Sequence, residues 1–151
     1  MQEAGDRIES AKAGIIAAIA VSLAAAIAKI ASHFWLGMGI YASENLLPFL
    51  GSLAIAAVSG FLFGVTYRYA VRDETNPHLK TGTLLAFALV RGLGQVEMLL
   101  NSQDLTQSLT QIVGMAALVL GESMFWFTIA QACLEFCFSK DLLQPVASDR
   151  R

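Results

Sequence analysis

The residues of this sequence that could do chemistry are a few polar side chains inside long apolar stretches. Arg91, Gln95 and Glu97 interrupt one stretch, and Gln111 and Glu122 interrupt the next. A charge near the middle of a bilayer costs about 2.5–3.5 kcal/mol on insertion scales, so it must face protein and find partners. We therefore predict an Arg91–Glu122 ion pair and a Glu97–Gln111 hydrogen bond. Such an intramembrane polar network either fixes two helices in register, or lines a polar path or binds an anionic or carbonyl-bearing ligand.

Catalytic and metal-binding sets are not evident in the sequence. Cys133 and Cys137 are four residues apart on one predicted helix, where disulfide geometry is rare and no further Cys or His completes a zinc site. His33 and His78 fall on opposite sides of the predicted bundle and cannot share a metal ion. The sequence also has no Walker loop, no HExxH and no nucleophile elbow. We expect no catalytic residue, no metal site and no enzyme activity.

The elements that must position the polar network are membrane-spanning helices. Of 151 residues, 56% are apolar and only 15% are charged, against roughly 25% charged in soluble domains. A spanning helix needs about 20 apolar residues, and four segments qualify: residues 13–31, 45–67, 81–100 and 108–138. Their runs are continuous rather than alternating, which favours helices over a barrel. The predicted fold is one all-α domain, residues 1–151, with four transmembrane helices and short polar tails.

The distribution of basic residues predicts the orientation. Eight of the ten Lys and Arg residues lie in the tails and the middle loop, and two, Lys29 and Arg91, lie inside spans. The two remaining loops contain none. By the positive-inside rule, both termini lie on the cytoplasmic or stromal side of a bacterial inner membrane or a thylakoid. The net charge of −2 leaves no basic excess for nucleic acid, so we expect membrane lipid and other membrane proteins as partners.

Small residues form a ladder on the second predicted helix. Ser52, Ala56, Gly60 and Gly64 recur every four residues, and the last pair is a GxxxG motif. Small side chains let another helix approach closely inside lipid. The first helix carries a similar stripe from Ala20 to Ser32. The two stripes either pack on each other within one chain, or contact a second protein or a second copy.

The middle loop is the densest polar part of the chain. We identify it as a candidate partner-docking loop because binding residues concentrate on loops held by rigid elements; an ordinary connector whose basic residues only set topology is the alternative. Glu135, near the end of the fourth helix, could meet a basic residue of this region. The candidate docking residues are Arg68, Arg72, Asp73, Asn76, His78 and Lys80.

A resemblance rests on this loop, on the glycine-rich end of the second helix before it, and on the stretch Arg91-Gly-Leu-Gly-Gln95 after it. Across residues 50–100 the chain resembles a group of small integral membrane proteins of cyanobacteria and plastids. The resemblance implies a thylakoid setting and attachment to a photosynthetic or related complex. It transfers no functional residue.

Two functions follow from the sequence. The first is a non-catalytic accessory or assembly subunit of a larger membrane complex, which uses lateral helix packing and the docking loop, with chlorophyll, carotenoid or lipid in grooves between helices. The alternative is a small homo-oligomeric transporter or channel with a polar path around Arg91 and Glu122.

Overall fold

The described part of the chain, residues 2–36, 46–71, 77–102 and 109–144 of a computed structural model, forms four long α-helices and no strand. Each helix is long and apolar enough to cross a membrane, which confirms the all-α, four-span prediction. The helices are α1 (Gln2–Leu36), α2 (Leu46–Val71), α3 (Pro77–Ser102) and α4 (Leu109–Ser139).

The helices extend beyond the predicted apolar spans, most of all at the start of α1. This helix begins at Gln2 rather than near residue 13. Its first turns are polar but helix-compatible, and Lys12 pairs with Glu9 one turn away at 2.7 Å. Pro77 occupies the first position of α3, where its missing N–H costs nothing. Apolar composition therefore predicts the spans, whereas helix propensity and side-chain ion pairing extend the helices beyond them.

The four helices form an antiparallel bundle in which α2 and α4 also touch across the middle. Contacts join α1 to α2, α2 to α3, α3 to α4 and α4 to α1, whereas α1 and α3 do not touch within the described residues. Asp6 of α1, Arg68 of α2 and Gln144 after α4 meet at one end, which we call the Arg68 end. The α2–α3 contact is much sparser than the α1–α2 contact, so the bundle is open between α2 and α3.

Close approach of α1 and α2 depends on glycine. A Cβ built on Gly60 would lie 2.8 Å from the Ala17 carbonyl oxygen and 2.9 Å from the Ala18 Cα, and one on Gly64 would overlap the Ala13 carbonyl. Only the absence of a side chain permits this spacing. The GxxxG motif therefore packs against α1 of the same chain, with Ala56 also fully buried.

Aromatic rings fill the centre of the bundle. Phe63 of α2 contacts Phe87 of α3 at 5.6 Å and Phe127 of α4 at 5.1 Å between ring centroids. Tyr67, one turn from Phe63, lies 5.4 Å from it. Tilted and edge-on pairs of this kind each contribute about 0.5–1.5 kcal/mol beyond area burial. This aromatic cluster ties three helices together between the open part of the bundle and the Arg68 end.

A reversing turn ends α4. Leu142 N–H donates to Cys137 O at 3.0 Å and Asp141 N–H to Phe138 O at 3.2 Å, the two bonds of a Schellman cap. Asp141 takes the left-handed position, φ 56°, which glycine usually fills. The turn directs Leu143 back into the core, where it is 1% exposed, and brings Gln144 to Arg68.

Candidate functional site: a lateral groove between α2 and α3

The opening between α2 and α3 is a groove of about 660 Å³, within the usual size of small-molecule sites. One wall is the face of α2 from Gly51 to Leu62, and the other is the face of α3 from Phe87 to Met98. Each wall is about 16 Å long by the helical rise. Phe127 of α4 lies at its base. The groove runs along the bundle in the half away from the Arg68 end.

The register of the two walls follows from the Phe63–Phe87 contact. Since the helices are antiparallel, one turn further from the Arg68 end Ser59 comes level with Arg91, and a second turn on Ile55 comes level with Gln95. All four of these residues line the groove. Ser59 Oγ donates to Ile55 O at 2.7 Å, so its proton is committed to its own helix. The polar donors available to the groove therefore lie mainly on the α3 wall.

Arg91 is held by an aromatic face. Its guanidinium carbon lies 4.6 Å from the centroid of Trp126, which is 1% exposed. Helical side chains lean toward the helix N-terminus, so Arg91 leans toward the Arg68 end and Trp126, on an antiparallel helix, leans to meet it. A cation–π contact of this kind is worth about 0.5–2 kcal/mol, more when desolvated. It keeps a charge deep in the bundle. The buried Arg91 Nε makes no hydrogen bond with the described residues, and the residue makes a further contact besides that with Trp126.

Gln95 is fixed by a side chain that the sequence analysis did not single out. Ser123 of α4, 1% exposed, donates its hydroxyl proton to Gln95 Oε1 at 3.1 Å. With its oxygen engaged, the Gln95 amide presents its NH₂ group as donor. Arg91 and Gln95 lie one turn apart on the α3 wall, and together they form a donor pair on one side of a mostly apolar groove.

The groove has a closed end and an open end. Near the Arg68 end, Phe87 and Phe127 lie 6.0 Å apart and both also contact Phe63, so rings block the groove below Arg91. Toward the other end, Gly51 and Gly94 line the walls and a Cβ on either would meet nothing within 4 Å. Met98, the last residue of the α3 wall, is 75% exposed. A bound molecule would enter from this side.

The residues of the predicted polar network have different surroundings in the structure. Arg91 and Gln95 share the groove, and Glu122 lies half-buried on α4 beside Ser123. Glu97 and Gln111 lie on exposed helix surfaces. The Arg91–Glu122 pair and the Glu97–Gln111 hydrogen bond stay predictions. Ser123 and Trp126 of α4 and Gly94 of α3 were missed. The spacing of Phe87, Arg91 and Gln95 at every fourth residue was a signal for the groove face of α3.

Arg68 requires a correction, because the sequence analysis places it among exposed docking residues. It is 1% exposed. Its Nη1 donates to Asp6 O at 2.9 Å and to Ser10 Oγ at 2.6 Å, and its Nε donates to Gln144 O at 2.9 Å. Its Nη2 lies 3.1 Å from Asp6 Oδ1. Arg68 thus joins α1, α2 and the segment after α4, and is not available to a docking partner.

The other docking candidates have different surroundings. Lys80 lies 3.5 Å from Glu135, whose Oε1 also accepts from Tyr67 Oη at 2.8 Å and Gln131 Nε2 at 3.1 Å. Glu135 thus meets Lys80, a basic residue of the region in which its partner was expected. His78 is exposed.

Three more docking candidates, Arg72, Asp73 and Asn76, lie outside the described residues. Among the small residues of α2, Ala56, Gly60 and Gly64 are buried, whereas Ser52 lines the groove.

The fold and the site define a class: a four-helix membrane protein with a lateral groove that carries two hydrogen-bond donors at mid-depth. Comparison of the chain with family models, curated proteins and solved structures gives no match.

Proposed function

We propose that this chain is a non-catalytic accessory or assembly subunit of a larger membrane complex, and that it holds a lipid-soluble molecule in the groove between α2 and α3. The observation that carries the proposal is the groove itself: about 660 Å³ of space with two oriented donors, Arg91 and Gln95, in mostly apolar walls. A molecule that accepts hydrogen bonds matches these donors better than lipid tails, which cannot accept any.

The shape of the groove supports a binding role over a conducting one. A path across the membrane would have to continue from Arg91 to the Arg68 end, where Phe63, Phe87 and Phe127 pack against each other. The polar donors therefore face a pocket closed at one end. A transporter or channel formed by several copies is the competing outcome of the test below.

The lateral contacts of the subunit would not use the GxxxG motif, since Gly60 and Gly64 already contact α1. Lateral attachment would instead use the outer faces of the bundle, which expose large apolar side chains such as Leu118 at 71% and Ile27 at 65%. On the resemblance across residues 50–100, we assign the protein to a thylakoid or bacterial inner membrane, to a photosynthetic or related complex, and chlorophyll, carotenoid or lipid to the candidate occupants.

The test is extraction of the tagged chain in mild detergent, followed by native electrophoresis, an absorption spectrum and solvent extraction of bound molecules. We expect comigration with a larger complex and a retained apolar molecule. Gly94→Leu, which fills the groove, should lose that molecule, whereas Gly82→Leu should keep it: Gly82 is also on α3 and also open around its Cβ, but it is not a groove residue. A pure homo-oligomer that moves solute across vesicles would overturn the proposal.

A further inference from the structure

At the level of Arg91 and Gln95 the groove presents mainly hydrogen-bond donors, whereas the Ser52 hydroxyl, which can also accept, lines it nearer the open end. The Arg91 guanidinium can donate but not accept, Ser123 occupies the Gln95 oxygen, and the Ser59 proton is committed to Ile55 O. A ligand group at the level of Arg91 and Gln95 would therefore accept hydrogen bonds from these side chains. A hydroxyl or amine would find few acceptors, whereas a carbonyl or carboxylate would be matched.

Charge distinguishes between these two acceptors. Glu122 lies half-buried on α4 next to Ser123, so this level of the bundle contains one acidic and one basic side chain. Adding a carboxylate would leave the level with a net negative charge at low dielectric, which is costly. A neutral carbonyl accepts from Arg91 and Gln95 without that cost.

Shape indicates what bears the carbonyl. Next to Arg91, the closed end presents the half-buried Phe87 ring, which favours contact with a flat ring. Toward the open end, Gly51 and Gly94 leave the walls without side chains, and the groove continues for about 10 Å past Arg91 by the helical rise to the exposed Met98. That channel suits an apolar tail passing into lipid.

Resting on the proposed function, we propose that the molecule in the groove is a neutral lipid-soluble compound with a flat carbonyl-bearing ring and an apolar tail, the chemistry of a membrane quinone. Its ring lies against Phe87, and one carbonyl oxygen accepts from Arg91 and Gln95. Its tail leaves past Gly94 and Met98.

Trp126 gives a direct readout, because it packs under Arg91 at 4.6 Å and quinones quench indole fluorescence. Trp35 is the only other tryptophan, so a Trp35→Phe background isolates the signal. The purified full chain in mild detergent would be titrated with decyl-ubiquinone. We expect saturable quenching. Arg91→Gln should weaken binding about 10- to 100-fold, since it removes a charged hydrogen-bond donor.

The matched glycine variants separate groove binding from partition into the detergent. Gly94→Leu should abolish saturable quenching, and Gly82→Leu should leave it unchanged. Thermal unfolding of each variant checks that the bundle remains folded. Non-saturable quenching that is equal in both glycine variants would overturn the proposal.

Two competitors test the ligand class. A decylbenzene without carbonyl groups should not displace the quinone, and oleate should displace it only at much higher concentration. Displacement by decylbenzene as effective as by quinone, or tighter binding of oleate, would overturn the carbonyl assignment. If Gly94→Leu loses the copurified molecule but quinone does not bind, only this inference fails; if Gly94→Leu loses nothing, the proposed function fails with it.

Discussion

Replacing Arg68 by Met tests whether this arginine, predicted to be a docking residue, is instead a buried side chain that holds α1, α2 and the segment after α4 together. The change keeps an apolar stem and removes every donor. Three hydrogen bonds from the charged guanidinium, to Asp6 O, Ser10 Oγ and Gln144 O, are worth about 1.5 kcal/mol net each, at the lower end for a charged partner. The ion pair with Asp6, whose side chain is 43% exposed, adds at most about 1 kcal/mol because solvent screens it.

The sum predicts a loss of about 4.5–5.5 kcal/mol in the free energy of unfolding, at the upper end of the range of about 3–5 kcal/mol for breaking a buried charge network. The assay is reversible unfolding in mixed micelles, followed by helical circular dichroism. Arg7→Met is the matched control, because Arg7 is exposed on α1 at the same end, and it should change stability by less than about 0.5 kcal/mol.

A double-mutant cycle with Asp6→Asn separates the contributions. We expect a coupling energy of at most about 1 kcal/mol, the rest belonging to the backbone and Ser10 contacts. Because Gln144 O is one of the acceptors, Arg68→Met should also speed proteolysis just after α4. A stability loss no larger than that of Arg7→Met would refute the reasoning.

The remaining predictions concern packing and the Arg68 end. Gly60→Leu should destabilise the bundle by at least about 2–3 kcal/mol through overpacking against the α1 backbone, with Gly82→Leu as control; dissociation of an oligomer with unchanged monomer stability would contradict it. Tyr67→Phe removes the 2.8 Å bond to Glu135 and should cost about 1.5 kcal/mol in the same unfolding assay; no change would show that water replaces the phenol. Phe63→Ala removes three ring contacts and should cost about 2–4 kcal/mol, with near-ultraviolet dichroism reporting the loss of ring packing; an unaltered spectrum would exclude a rigid cluster.

The polar residues of the spans were predicted only in part from the sequence. Arg91 stood out because a charge at mid-depth must face protein, and the structure places it on a groove with Gln95. The sequence did not, however, single out an aromatic partner for Arg91. The observed contact is with Trp126, because each side chain leans toward its own helix N-terminus and antiparallel helices add the two displacements.

The number and type of the helices in the described part of the chain were determined by the sequence alone, and so were the limits of α2, α3 and α4 to within a few residues. The thickness of the hydrocarbon layer sets the length of an apolar run, and lipid offers the backbone no partner outside its own helix. Only the tertiary structure decided which arginine is buried. Arg68, between Tyr67 and Tyr69, reads as an interfacial residue, and its burial depends on α1 and on the turn after α4 that brings Gln144 beside it. Contacts between segments 62 and 76 residues apart leave no local pattern in the sequence. The groove leaves no local pattern either, because it forms where α2 approaches α1 through glycine and lies farther from α3.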